Sequence, residues 1–194
     1  MPAPGRDGAS GLRPVPGRVE RPDRVPCGRR AALRTSLILP DLAATETLAR
    51  RLAPLLRPGD LLGLTGGLGT GKTAFARALI GARLAALGRA EEVPSPSFTL
   101  VQTYDLGETE IWHADLYRLG SLDELAELGL DQAFGTAICL VEWADRLGPL
   151  LPPRHLMLAL DFLPGDDDAR RADLIARGPG WAALAPILAE PRPA

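Results

Sequence analysis

At 194 residues, with 46% hydrophobic content and a formal net charge of −2, the chain suits one domain of ordinary size with a real core. No unbroken apolar run reaches the roughly 18 residues that a membrane-crossing helix needs, and only two cysteines, Cys27 and Cys139, are present. Two widely separated cysteines make no disulfide framework, so a reducing, cytoplasmic setting is expected. Charge is uneven: residues 1–35 carry eight Arg against Asp7, Glu20 and Asp23, or +5, which leaves −7 on the remainder. That remainder is a poor grip for a nucleic-acid backbone, and no DNA contact is expected of it.

Residues 1–35 are rich in Pro, Gly and Arg and lack apolar periodicity, which predicts a disordered basic tail ahead of a single domain over 36–194. Leu37–Leu39 reads as a first strand ended by Pro40. Asp41 or Thr45 then caps a helix to about Leu56, with Leu42, Leu48, Leu52 and Leu55 on its apolar face.

The stretch from Leu61 to Leu79, LLGLTGGLGTGKTAFARAL, organises the rest. A short apolar strand leads into a glycine-rich turn, and helical apolar spacing begins at Ala74 and continues to about Leu87. Gly66, Gly71, Lys72 and Thr73 satisfy the G-x-x-x-x-G-K-[ST] spacing of a phosphate-binding loop. Gly66, Gly67, Leu68, Gly69, Thr70, Gly71, Lys72, Thr73 and Ala74 are therefore the candidate nucleotide-binding residues. Their backbone N–H groups and the helix end would face phosphate, with Lys72 on the β- and γ-phosphates and the Thr73 hydroxyl on Mg²⁺. The alternative is a glycine-rich turn with no ligand. Lys72 is the only lysine among 22 basic residues. A compact ammonium stands where phosphate would be met, in a chain that otherwise uses Arg.

Downstream, EEVPSPSFTLVQTY places Ser95 and Ser97 in a proline-flanked loop and a strand over Phe98–Tyr104. Either a γ-phosphate or Mg²⁺ sensor or a stiffened connector fits that loop. Ile111–Asp115 is a strand whose alternation puts His113 and Asp115 on one face. Asp115, leaving the strand end, reads as a magnesium-shell acid or as a plain helix cap. Ser121 and Glu124 form a capping box for a helix over Ser121–Leu128, followed by a short turn around Asp131–Phe134. Ala137–Val141 is a buried strand that delivers Glu142 at its end, the position of a Walker-B carboxylate, unless that acid is simply solvated. Arg154–Phe162 and Arg170–Ala176 are two further strands about a turn at Pro164–Asp168, whose three aspartates read as a solvated hairpin tip. Trp181–Leu188 is a last short helix.

The blocks GGLGTGKT, SPSFTLVQTY, HADLYRL, ELGLDQAF and ICLVEWADRL resemble, in order and spacing, the bacterial TsaE (YjeE) family over roughly residues 36–176. The resemblance implies an α/β, three-layer P-loop NTPase fold with a central mixed sheet. It also implies an ATPase of tRNA N6-threonylcarbamoyladenosine (t6A) biosynthesis that acts with the TsaB–TsaD heterodimer and meets tRNA only indirectly. ATP and Mg²⁺ are the implied cofactors. Lys72, Glu142 and Asp115 are the implied catalytic residues, and Thr73, Glu142 and Asp115 the implied metal ligands. Trp143 would sit beside the nucleotide, and Tyr117 and Arg118 would face a partner or phosphate. Gly67 and Thr70 depart from the family's common acid and small residue, and Ser97 from its common threonine. No in-cis arginine finger is evident, so turnover alone is expected to be slow. A small-molecule P-loop kinase and a non-hydrolysing nucleotide-dependent adaptor are the alternative readings.

Overall fold

The computed structural model describes residues 33–188 except Leu122; the predicted tail lies almost wholly outside them. The first strand, β1 (Leu33–Leu39), starts three residues before the expected onset of order at Ser36. Asp41, not Thr45, caps α1 (Leu42–Leu52), its carboxylate accepting the Ala44 N–H at 2.7 Å. The expected run to Leu56 tightens into a 3₁₀ turn over Ala53–Leu55 because Pro54 has no N–H to continue the α-helical ladder.

β2 (Leu61–Thr65) enters the glycine loop, and α2 (Lys72–Ala85) leaves it. The helix begins two residues before the expected Ala74. β3 is Val101–Asp105, shorter than the predicted Phe98–Tyr104. The Leu100 N–H bonds back to the Pro96 carbonyl at 2.7 Å and Leu100 has φ +63°, so residues 96–100 form a turn and leave Phe98 exposed. β4 spans Glu110–Asp115 and β5 Ile138–Glu142.

Between them, α3 covers Asp123–Glu127, and Glu124 reaches back to the Gly120 N–H rather than closing the expected box with Ser121. The expected turn at Asp131–Phe134 is helical: α4 spans Leu130–Thr136. Gly129, at φ +71°, reverses the chain in one residue, and Leu130 and Ala133 are buried against the sheet. A 3₁₀ segment over Ala144–Leu150, not anticipated from sequence, follows β5. β6 (His155–Leu163) and β7 (Asp166–Arg177) turn at Pro164–Gly165. Asp166, Asp167 and Asp168 are exposed as expected, but they lie within β7 rather than in the turn. The chain then folds into a 3₁₀ turn at Ala182–Leu184 and α5 (Ala185–Leu188).

One seven-stranded sheet results, in the order β1-β7-β6-β2-β5-β4-β3. β6, β2, β5 and β4 run parallel; β7 is antiparallel to β6 and β1 to β7 on one flank, and β3 is antiparallel to β4 on the other. The central strands are buried on both sides. Leu62, Leu64, Ile138, Leu140 and Leu158 pack under α1 and α2 with Leu48, Leu52, Phe75, Leu79 and Ile80. Leu61, Cys139, Val141 and Ala114 face Leu125, Leu130, Ala133 and Leu147 on the opposite side. This three-layer arrangement with a mixed sheet is the expected P-loop NTPase architecture. The carboxyl ends of β2, β5 and β4 are adjacent, so everything they carry is delivered to one edge, where ligands of open α/β sheets bind.

Candidate functional site: a phosphate loop faced by two carboxylates

Three glycines with positive φ, Gly66 (+131°), Gly69 (+75°) and Gly71 (+105°), curl the loop between β2 and α2. Gly71 caps α2 without a side-chain hydrogen bond, so that helix end keeps its partial positive charge toward the loop. Lys72 is 5% exposed, and its ammonium donates to the carbonyls of Gly66 (2.9 Å) and Gly67 (2.7 Å), folding back across the loop it belongs to. It also lies 4.1 Å from the centre of a Trp143 ring. Burial pulls the Lys72 pKa below its usual 10.5, while Glu142, then Asp115, then Asp145 pull it back up.

Opposite the loop stand the two strand-end acids. Asp115 and Glu142 are register partners on β4 and β5, and both are buried. Side-by-side buried carboxylates need donors or a cation. Glu142 accepts the Thr73 hydroxyl on Oε2 at 2.7 Å and contacts His113 Nε2 through Oε1 at 2.9 Å. Asp115 accepts the Ser97 hydroxyl at 2.6 Å and the Tyr117 N–H at 2.9 Å, and Ser95 lies 2.8 Å from Ser97. The proline-flanked loop is thereby tied to the acid of β4.

A cleft of about 260 Å³ opens between these groups, lined by Leu68, Gly69, Gly71, Lys72, Thr73, Ala74, Ser97, Asp115, Tyr117, Glu142 and Trp143. Nearly every residue singled out from the sequence meets here. Gly66 and Gly67 contribute carbonyls to Lys72 rather than cleft wall, and Thr70 is buried behind the loop, its hydroxyl donating to the Gly67 carbonyl at 3.0 Å. Thr70 therefore pins the phosphate loop through Gly67. Trp143, at φ +59°, packs against Tyr117 with ring centres 5.0 Å apart and planes tilted by 42°. Arg118 lies over the exposed Phe98 ring at 4.7 Å, away from the cleft wall. The oxygen-only set of Thr73, Glu142 and Asp115 is of the kind that hard cations take.

Sequence reasoning put His113 on the face of Asp115 without assigning it a role. The missing information is strand order: only the β4–β5 register brings Glu142 beside it.

A family model described as threonylcarbamoyl adenosine biosynthesis protein TsaE matches residues 39–172. This chain belongs to the TsaE family. Curated relatives, each a tRNA threonylcarbamoyladenosine biosynthesis protein TsaE, agree with that. The Rickettsia felis protein is 38% identical over 72% of this chain and 78% of its own. The Streptomyces coelicolor protein is 39% identical over 70% of this chain and 92% of its own, and the Bacillus subtilis protein is 38% identical over 64% and 75%. The crystal structure of Bacillus subtilis YdiB superposes with a TM-score of 0.63 at 29% identity, covering 81% of this chain and 95% of that one. The TsaE match runs from the last residue of β1 into β7 and so contains every residue of the cleft. Among the described residues, no helix is long and apolar enough to cross a membrane.

Proposed function

We propose that this chain is the ATP-binding and ATP-hydrolysing component of the tRNA threonylcarbamoyladenosine machinery, working with the TsaB–TsaD heterodimer in the cytoplasm. The observation that carries the reading is the contact between Thr73 and Glu142. The last residue of the phosphate-loop motif and a strand-end carboxylate 69 positions away meet at 2.7 Å beside Lys72.

From that geometry the division of labour follows. The loop amides and Lys72 bind the β- and γ-phosphates and offset the charge that develops as the terminal phosphoryl group leaves. Thr73, with Glu142 or Asp115, would hold Mg²⁺. When bound, Mg²⁺ would neutralise charge on the phosphates. Each of the four carboxylate oxygens already accepts one donor, and the acceptor directions they keep would take a proton from, and orient, the attacking water. Trp143 covers one side of the site.

Among the described residues no arginine lines the cleft: Arg118 lies over Phe98, and Arg146 donates to the Leu119 carbonyl and lies 5.9 Å from the centre of the Tyr117 ring. Isolated turnover is therefore slow, and the partner completes the site or relieves a rate-limiting step. tRNA contact falls to the partners, as the −7 body favours. Steady-state ATP hydrolysis by the purified chain, alone and with TsaB–TsaD, tests the reading for wild type, Lys72→Ala and Glu142→Ala. Partner-stimulated hydrolysis that both substitutions remove is the expected outcome. Failure of TsaB–TsaD either to bind or to stimulate the wild type would overturn it.

A further inference from the structure

His113 is fully buried at the centre of the β4 strand, and its ring makes a single polar contact among the described residues, Nε2 to Glu142 Oε1 at 2.9 Å. Its Nδ1 is buried without any hydrogen-bond partner. A leucine would fill the same apolar layer, beside Leu140 on β5, with no unpaired polar atom. Polar groups kept at such a cost are found where they serve a site.

The contact also fixes where the ring proton sits. A carboxylate only accepts, so Nε2 is the ring nitrogen that donates to Glu142. The opposite tautomer would set two acceptors against each other and bury an unpaired N–H. With Thr73 on Oε2 and His113 on Oε1, each oxygen of Glu142 is pinned by one donor, and each keeps one acceptor direction. The carboxylate plane is therefore fixed from both sides, one from the phosphate loop and one from β4.

Resting on the ATPase reading above, we propose that His113 is the positioning residue of that site. Its Nε2–H holds Glu142 in the orientation that presents its free oxygen directions to the cleft, and His113 itself touches neither nucleotide nor water. Thr73 must serve two partners once a nucleotide is bound, whereas His113 has Glu142 alone.

The test compares wild type, His113→Leu and His113→Gln for ATP hydrolysis with TsaB–TsaD, each variant checked by its melting temperature. Gln places an amide N–H at a reach similar to that of Nε2. His113→Leu is expected to lower kcat roughly 10- to 100-fold, the usual effect of removing a group that orients a ligand, with KM for ATP nearly unchanged. His113→Gln is expected to recover most of that loss. In a Glu142→Gln background, His113→Leu is expected to lower the residual single-turnover rate no further. Wild-type kcat in His113→Leu, or equal loss in the Leu and Gln variants at equal stability, would overturn the proposal. Long-range ¹H–¹⁵N spectra of the imidazoles give a readout that needs no hydrolysis. They are expected to show the Nε2–H tautomer and a shift of that signal in Glu142→Gln. The other tautomer, or no response to Glu142→Gln, would overturn the proposal even if the wild type proved not to be an ATPase, which would instead sink the reading it rests on.

Discussion

Gly66 and Gly67 are neighbours in the same loop and differ sharply in what they tolerate. A Cβ on Gly66 would lie 2.1 Å from the Leu160 carbonyl oxygen, at a φ of +131° that side chains rarely adopt. On Gly67 it would meet only Thr70 Cγ2, at 3.8 Å. Gly66→Ala is therefore expected to abolish nucleotide binding and to lower the melting temperature, whereas Gly67→Ala changes stability by no more than about 0.5 kcal/mol. Thermal melts with and without MgATP check both. Lys72 offers a second residue-level readout, because a chain with a single lysine gives a single lysine ε-signal in NMR. Burial is the larger influence and lowers its pKa, and Glu142 opposes it, so the amine is expected to titrate below 10.5 and lower still in Glu142→Gln. The sign for stability follows. Between the folded and unfolded pKa values the unfolded chain binds more protons at this residue, so its contribution to stability rises as pH climbs through that window. A midpoint above 10.5, or an upward shift in Glu142→Gln, would contradict the geometry.

At the level of elements, the ends of the central strands are fastened by one buried acid. Asp60, just before β2, accepts Arg154 Nε at 2.8 Å and Nη2 at 2.7 Å, together with the Arg57 N–H at 2.9 Å, while its carbonyl takes the Cys139 N–H of β5. Arg154 in turn covers the Trp181 ring at 4.2 Å, which links the start of β6 to the C-terminal turn. The acid is 1% exposed and the arginine 29%, so solvent screens one partner only. Arg154→Ala leaves a buried carboxylate short of its cation and is expected to cost about 2 kcal/mol, below the value for a wholly buried pair. Urea unfolding measures this, and a loss under about 0.5 kcal/mol would place Asp60 in a wetter setting than its burial indicates.

The elements also show what a sequence discloses. Strand, glycine loop and α2 were legible because the motif is local: its spacing, the turn glycines and the helical repeat lie within 20 residues. The strand-end position of Glu142 was legible from the apolar run before it. Three features were not. Leu100 takes a left-handed backbone that no propensity announces. The Ala144–Leu150 3₁₀ segment has no periodic signature. The meeting of His113, Glu142 and Thr73 depends on β4 lying beside β5 and β5 beside β2, which is a property of the sheet and not of any segment.

For the whole molecule, Cys139 reports on the cohesion of the domain. It sits at the middle of the sheet, fully buried, and burial pushes its thiol up to about 12. At neutral pH the thiolate is scarce and sterically shielded, so labelling by a thiol reagent in a Cys27→Ser background is expected to proceed only through opening of the sheet and to slow when MgATP binds. Labelling at the rate of a free thiol, unaffected by nucleotide, would contradict a single cohesive core that carries the site. On the proposed function, hydrolysis at the Thr73–Glu142 pair drives the partner's modification of tRNA. The most direct measurement is the amount of threonylcarbamoyladenosine formed per TsaB–TsaD complex with hydrolysable ATP, for wild type and Glu142→Ala. The prediction is product well beyond that of TsaB–TsaD alone with wild type, and no gain with Glu142→Ala. Equal product from the two would contradict the claim.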